Sequence, residues 1–221
     1  MHEFFDDIVP HPDEVDPSEQ LIHERAYVVR AYRIDASTLH LRGAIRDQKP
    51  PGLYIAGDPE PLTVHHMIVD LTIAVPQLEI TAARAVMETH PHLSCPRITD
   101  HYENLVGLSI SRGFTHRIRE LFGGPRGCTH TTALLQAMAP VAVQSLWSFR
   151  IAEARHAGQP VGIGESAEAR ERALLMNLNT CHVWAEDGEQ ISTLRAGGDM
   201  EVPVWIMRRY AELGIDTSTW S

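Results

Sequence analysis

Cysteine is scarce in this chain. The 221 residues contain three cysteines, Cys95, Cys128 and Cys181, which is an odd number at wide spacing. Small domains that depend on disulfides carry more cysteines in even numbers, so a disulfide framework is excluded and a reducing compartment is favoured. We therefore expect free thiols in a cytoplasmic protein, where a cysteine more often serves as a core residue, a metal ligand or a nucleophile.

Long apolar runs and basic clusters are also missing. No stretch approaches the roughly 20 consecutive apolar residues that cross a bilayer, and the chain starts with acidic residues rather than with a basic segment before an apolar one. Lysine and arginine are nowhere interleaved with aromatic residues in a cluster, so nucleic-acid binding has no electrostatic support. The sequence predicts neither a membrane nor a nucleic acid as a partner.

The negative charge is concentrated at the amino terminus. The formal net charge is −10, and residues 1–20 contribute seven acids and no lysine or arginine. Three prolines also interrupt this segment, so we expect an acidic irregular leader over residues 1–20 and a single domain over residues 21–221. With 43% hydrophobic residues, the chain has enough apolar side chains for one ordinary core.

Two hairpins are predicted in the first half of the domain. In Thr38–Arg46, apolar residues alternate with polar ones, which is the pattern of a half-buried strand. Ala26–Ile34 precedes this strand across a short polar link, which favours an antiparallel pair. The second predicted pair consists of Thr63–Val75 and Leu78–Met87.

After residue 95 the pattern changes to helical spacing. The predicted helices are Pro96–Val106, Thr115–Phe122, Thr129–Glu153, Ser166–Asn177 and Val202–Leu213. Pro140 is expected to kink the long helix, and Gly214 to end the last one. Strands first and helices second indicate an α+β fold, in which an antiparallel sheet of about four strands is followed by, and packed against, C-terminal helices.

The box Gly127-Cys128-Thr129-His130 follows a glycine-rich turn and opens the long helix. Thr129 is the expected N-cap of that helix. The thiol of Cys128 would then lie at the positive end of the helix dipole, which favours the thiolate that a metal ligand or a nucleophile requires. The alternative is a buried cysteine beside a capping threonine.

The two other cysteines are candidate partners of this box. Cys95 lies on the loop after the second predicted hairpin, and Cys181 is followed by His182 in a short strand-like segment. Either cysteine can equally be a core thiol. Spacing alone does not decide between a metal ligand and a core thiol, because a Cys-x-His pair lacks the paired Cys-x-x-Cys of a zinc knuckle.

A pair of histidines begins the third predicted strand. Alternation sends His65 toward the apolar face of Val69 and Leu71, whereas His66 shares a face with Asp70. His66 and Asp70 therefore form a candidate imidazole–carboxylate pair for proton transfer. The alternative is a solvated strand face.

A series of short motifs runs in order from about residue 26 to residue 185. The motifs are Val69-Asp70-Leu71-Thr72 with Ile80, Cys95-Pro96, Leu105-Val106-Gly107-Leu108, Gly113-Phe114 and Gly127-Cys128-Thr129-His130. In these motifs the chain resembles the bacterial family called domain of unknown function 2889. The family's box continues with Leu-Thr-Glu-Leu, whereas this chain has Thr131 and Ala133 in place of the Leu and the Glu. The resemblance implies a recurrent site at the box and no particular activity.

The plan of hairpins, a cysteine loop and then cysteine and histidine at a helix start is also similar to the iron–sulfur scaffold proteins and their zinc-binding relatives. Those proteins bind metal with three cysteines and a His or Asp. The ligands that this likeness implies are Cys95, Cys128 and His130, completed by His66 or by Cys181 and His182. The likeness is one of fold, and a fold does not fix a function.

We expect a metal-dependent enzyme of the lyase, hydratase or hydrolase type that acts on a small carbonyl or carboxylate compound, with one divalent ion, zinc or iron, per chain. The expected metal ligands are Cys95, Cys128, His130 and His182. The expected substrate-binding residues are Arg126, Gly127 and Thr129. The expected catalytic residues are His66, Asp70 and His130.

Two other functions remain open. The first is a carrier or scaffold for a metal or an iron–sulfur cluster, and the second is a metal-free enzyme with Cys128 as nucleophile and His130 as base. A closed site of four protein ligands would favour the carrier, whereas three ligands beside a lined pocket would favour the enzyme. Near the carboxyl end, Trp205, Ile206 and Trp220 are either core residues or the interface of a homo-oligomer.

Overall fold

The computed structural model describes residues 18–111, 113–159, 171, 174–175, 177–198 and 201–216. Most of the predicted acidic leader, most of the predicted helix Ser166–Asn177, and Trp220 lie outside the described residues. The chain divides into two compact units, residues 1–150 and residues 151–221. The prediction of a single domain over residues 21–221 stays a prediction.

One antiparallel sheet contains both predicted hairpins. Its strands are β1 (Glu24–Arg33), β2 (Thr38–Lys49), β3 (Leu62–Ala74) and β4 (Glu79–Thr89). Their order in the sheet is their order along the chain, and every neighbouring pair is antiparallel. The α+β prediction is confirmed, because the helices follow this sheet.

Alternation of side chains decides which face of the sheet is buried. The buried rows of the two central strands are Leu39, Leu41, Ile45 and Asp47 in β2 and Met67, Val69, Leu71 and Ile73 in β3. The β2–β3 register places these rows side by side, with Ile45 directly opposite Met67. Asp47 therefore continues an apolar row while it is only 1% exposed. A carboxylate is rarely buried so completely unless it is paired.

The helical elements follow the sheet close to their predicted bounds. They include a 3₁₀ helix at Cys95–Leu105, α1 (Phe114–Phe122), α2 (Thr129–His156), α3 (Glu189–Arg195) and α4 (Val204–Leu213). Gly214 ends α4 with a φ of 65°, as predicted. α2 continues across Pro140 as one helix. Among the described residues, no helix is both long enough and apolar enough to cross a membrane.

The segment around Cys181 is not strand-like, and that prediction is wrong. His182–Trp184 forms a short 3₁₀ turn, in which the Trp184 N–H donates to the Cys181 carbonyl at 3.0 Å. The β-forming side chains Val183 and Trp184 favoured a strand, but this local hydrogen bond closes a turn instead. The backbone hydrogen bond thus outweighs the strand propensity of these side chains.

α2 lies against the buried face of the sheet at Gly43. A Cβ on Gly43 would come within 2.6 Å of Met138 Sδ and within 3.1 Å of Leu134 Cδ1. The missing side chain thus allows the helix to approach β2 closely. This approach brings the first turn of α2 to the end of β2, where Asp47 lies.

Candidate metal centre

Three side chains with metal-binding atoms meet at one end of the sheet. Asp47, His65 and His130 each offer one ligand atom, and the three atoms lie within 4.8 Å of one another. Asp47 and His65 are direct partners in the β2–β3 ladder, and His130 comes from the first turn of α2. We call these three residues the Asp/His/His group.

The contacts within the Asp/His/His group centre on one carboxylate oxygen. Oδ2 of Asp47 lies 3.1 Å from Nε2 of His130 and 3.3 Å from Nδ1 of His65. The two imidazole rings are stacked, with centroids 3.8 Å apart and 26° between their planes. Although His65 Nδ1 is near the carboxylate, it is buried without a hydrogen-bond partner among the described residues. A buried imidazole nitrogen in this state fits a metal ligand, because its lone pair is available.

The protonation state of His130 also fits a ligand. Burial lowers the pKa of His130 below its usual value, and the neighbouring His65 lowers it further, while the charge of Asp47 acts in the opposite direction. A metal ion binds the neutral imidazole, so protons compete less at this residue than at an ordinary histidine.

Arg25 holds the carboxylate from β1. Its Nε and Nη2 donate to the two oxygens of Asp47 at 2.6 Å and 2.7 Å. This paired hydrogen bond lowers the pKa of Asp47 to about 2, against the opposing effect of burial, so the carboxylate is ionised at neutral pH. Arg25 thus fixes both the charge and the orientation of Asp47, as supporting residues behind metal ligands do.

Cys128 lies on the other side of the His130 ring. Its Sγ is 3.7 Å from Nδ1 of His130, whereas the nitrogen that faces Asp47 is Nε2. The thiol therefore contacts the group through the imidazole ring. The predicted role of Cys128 as a direct metal ligand stays a prediction.

The start of α2 differs from the predicted N-cap. Thr129 is the first helical residue, and the Cys128 carbonyl accepts the first helical hydrogen bond, from Thr132 N–H at 2.9 Å. Cys128 rather than Thr129 thus occupies the N-cap position. The hydroxyl of the buried Tyr102 accepts the Cys128 N–H at 2.8 Å, so a tyrosine from the preceding 3₁₀ helix anchors this backbone.

A cavity of about 390 Å³ adjoins the Asp/His/His group. Its polar lining residues, which we call the polar side, are His65, Ser94, Cys95, Cys128, Thr129 and His130. Its apolar lining residues, which we call the apolar side, are Met67, Met87, Pro91, Ile98 and Pro125. Within the described part of the chain, no lysine, arginine, aspartate or glutamate lines this cavity.

Several of the predicted site residues come together here. Cys95, Gly127 and Thr129 line the same cavity as Cys128 and His130. Arg126, predicted to bind substrate, is exposed, and its Nη2 donates to the Arg119 carbonyl at 3.3 Å. His182, predicted as a ligand, begins the 3₁₀ turn in the second compact unit.

The predicted pair of His66 and Asp70 lies on the opposite face of the sheet from Asp47. The Asp70 carboxylate accepts a hydrogen bond from Arg42 Nε at 2.6 Å and lies 3.3 Å from His40 Nε2. His66 is opposite Arg46 in the β2–β3 ladder. Asp70 is thus engaged by Arg42 and His40, and the proton-transfer role of the pair stays a prediction.

Sequence reasoning missed Asp47 and Arg25 and assigned His65 to the apolar face without a role. A signal was present, because Asp47 follows the alternation of Leu41 and Ile45 and so falls on the buried face of β2. The predicted strand ended at Arg46, one residue before Asp47, whereas β2 continues to Lys49. A carboxylate and a histidine on buried faces of neighbouring strands would have indicated the pair.

Comparison with known proteins gives one match. A family model described as a protein of unknown function (DUF2889) matches residues 23–144, which is more than half of the chain. No curated protein and no solved structure matches the chain. The matched segment contains the whole Asp/His/His group, Arg25 and Cys128. The likeness to iron–sulfur scaffold proteins gains no support from these comparisons and stays a prediction.

Proposed function

Because the chain belongs to the DUF2889 family of proteins of unknown function, we propose its function from the site alone. We propose a metal-dependent enzyme that holds one divalent ion, zinc or iron, at Asp47, His65 and His130. The reaction would be a hydrolysis, hydration or lysis of a small carbonyl or carboxylate compound. This proposal replaces the cysteine ligands expected from the sequence with a carboxylate and two imidazoles.

The group of three ligand atoms beside a cavity carries the proposal. Two imidazoles and a carboxylate form the ligand set of catalytic zinc sites and of non-haem iron(II) enzymes, both of which keep a position open for water or substrate. His65 and His130 also line the cavity, so an open position would be accessible from it. A closed carrier site needs a fourth ligand, and the described residues within reach supply three.

The protein's own residues would prepare this site in two ways. Arg25 keeps the Asp47 carboxylate ionised and oriented. A ligand nitrogen at His130 Nε2 requires the ring proton on Nδ1, which faces the Sγ of Cys128 at 3.7 Å. The sulfur would then accept that N–H and fix the ring. A bound divalent ion supplies the electrophile that polarises a carbonyl or acidifies a water molecule.

Metal analysis tests the proposal. We expect about one zinc or iron ion per chain after anaerobic purification or reconstitution, and loss of that ion in the Asp47→Asn, His65→Ala and His130→Ala variants. His66→Ala is the matched control, because His66 is adjacent in sequence but lies on the opposite face of β3, and it should retain the ion. Circular dichroism confirms that each variant is folded. Failure of wild-type protein to bind either ion after reconstitution would overturn the proposal, as would full occupancy in His65→Ala.

A second function is favoured by a different set of contacts. The Sγ of Cys128, the imidazole of His130 and the carboxylate of Asp47 form a relay, with 3.7 Å from Sγ to Nδ1 and 3.1 Å from Nε2 to Oδ2. This is the order of nucleophile, base and orienting carboxylate in cysteine enzymes. It requires the proton on Nε2, which is the opposite tautomer to the one that binds a metal at Nε2.

The requirement for opposite tautomers separates the two functions. Hydrolysis of p-nitrophenyl acetate in the presence of a chelator, with loss of activity in Cys128→Ser, would support the cysteine enzyme. Under the metal proposal, Cys128→Ser still binds one ion, because the sulfur contacts only the far side of the His130 ring. Metal occupancy and chelator-resistant activity are therefore measured on the same variant.

A further inference from the structure

We infer that the cavity beside the Asp/His/His group takes an aromatic carbonyl compound or aromatic monocarboxylate, with its oxygen atoms at the metal site and its ring against the apolar side. The same lining, which includes no lysine or arginine among the described residues, disfavours phosphorylated compounds as substrates. This inference rests on the proposed metal site, whose substrate class it specifies.

The apolar side of the cavity favours an aromatic ring. Met67 and Met87 are both buried residues of the core, and both line the cavity. Ile98 is a half-buried aliphatic residue of the same lining. A polarisable methionine sulfur adapts its position and makes favourable contacts with aromatic rings. We therefore expect an aromatic ring to make more favourable contacts with these residues than a sugar or a polar chain would.

The polar side of the cavity can accommodate one negative charge. Through His65 and His130 it adjoins the metal site, whose ion would neutralise a single carboxylate. Arg25, the cation nearest to the group, already donates to both oxygens of Asp47. Arg126 is exposed, and its guanidinium donates to a backbone carbonyl. A second negative charge, as on a phosphate, would meet no lysine or arginine among the described residues that line the cavity, so its partial removal from water would be unfavourable.

The size of the cavity agrees with this substrate class. An apolar cavity of about 150 Å³ holds benzene. The volume of about 390 Å³ therefore leaves room for one ring, a carboxyl or carbonyl group and a short further substituent. Small-molecule pockets run from about 300 to 1,000 Å³, and this cavity lies at the lower end of that range.

The test uses full-length protein loaded with Co²⁺, whose visible absorption changes when a ligand enters the coordination sphere. Benzoate, acetate and phenyl phosphate are the three probes. Benzoate should bind at least about tenfold more tightly than acetate, because the ring is buried. Phenyl phosphate carries the same ring with close to two negative charges at pH 7.5, and it should bind at least about tenfold more weakly than benzoate.

Two variants test the apolar side directly. Ile98→Lys places a cation at a half-buried wall position and should improve phenyl phosphate relative to benzoate, whereas Ile98→Leu should leave the preference unchanged. Cobalt occupancy confirms that each variant retains the site. If cobalt binds but benzoate is no tighter than acetate, or phenyl phosphate equals benzoate, the substrate class is overturned while the metal proposal stands. If wild-type protein fails to bind cobalt, zinc and iron, both are overturned.

Discussion

Asp47 lies directly opposite His65 in the ladder between β2 and β3, so the register of that pair places both side chains toward the buried side of the sheet. A slip of one residue in either strand would send one of them to the other face. The register is regular up to Asp47 and shifts between Asp47 and Gln48. Irregularities of this kind often lie beside functional sites, where they end a regular ladder and re-aim side chains.

Removing the guanidinium of Arg25 should destabilise the metal-free protein and increase its response to metal. In Arg25→Gln the buried Asp47 carboxylate loses its paired hydrogen bonds, which should lower the free energy of unfolding by about 1–3 kcal/mol. Excess zinc should recover more stability in this variant than in wild-type protein, because the ion supplies the missing positive charge. Urea denaturation with and without zinc measures both effects.

Arg42→Gln is the control for this prediction. Arg42 makes a similar contact to Asp70, but on the opposite face of the sheet, where its side chain is more than half exposed. Exposed ion pairs contribute about 0–1 kcal/mol, so this variant should be close to wild type and its zinc response unchanged. An equal gain from zinc in all three proteins would show that Arg25 has no special relation to the metal site.

Regular secondary structure could be predicted from the sequence because each element carries its own period. The alternation of Leu39, Leu41 and Ile45 marked β2, and Gly214 marked the end of α4. The turn at His182–Trp184 could not be predicted in this way, since its residues favour a strand and a local hydrogen bond decides the outcome. Local pattern predicts an element only where no competing local contact exists.

The metal group could be predicted only in part, because it depends on contacts between distant segments. His130 stood out at the start of a helix, where sequence alone supplies a reason to notice it. Asp47 and His65 come together only through the β2–β3 register. The sequence does not determine that register, because a long loop connects the two strands. The pairing of Arg25 with Asp47 depends in turn on the β1–β2 pair.

The stability of the metal-free protein should depend on pH through Asp47. Its pKa falls from 3.8 to about 2 in the folded protein, so folding favours the ionised carboxylate. The corresponding stability is fully present well above pH 3.8 and is lost as the pH falls through about 2. Relative to Asp47→Asn, wild-type protein should gain about 2–2.5 kcal/mol at pH 7 from this ionisation, and the gain should shrink steadily below pH 4. Urea denaturation with a chelator at pH 7, 4 and 3 measures the difference, and a constant difference would contradict the assignment.

The hydroxyl of Tyr102 should stabilise the start of α2. It accepts the Cys128 N–H at 2.8 Å, while the ring stacks on Phe122 with centroids 4.7 Å apart. Tyr102→Phe keeps the ring contact and leaves the amide without its acceptor, which should lower the free energy of unfolding by about 1–2 kcal/mol. Hydrogen exchange at Cys128 should also become faster. The exposed Tyr54 provides the control, because Tyr54→Phe should change neither measurement.

Two glycines of the turn before α2, Gly124 and Gly127, should resist substitution for different reasons. A Cβ on Gly127 would lie 2.5 Å from the Phe122 carbonyl oxygen, although its φ of −160° suits any residue. Gly124 has a φ of 60° with nothing within 4 Å of the added Cβ. Gly127→Ala must therefore displace backbone at the cavity and should cost about 2–3 kcal/mol of stability, whereas Gly124→Ala meets only the backbone penalty of about 1 kcal/mol. Thermal and urea denaturation compare the two variants, and zinc titration should show weakened binding in Gly127→Ala alone. A larger loss of stability in Gly124→Ala would mean that the turn, rather than close packing against Phe122, fixes the position of Cys128 and His130.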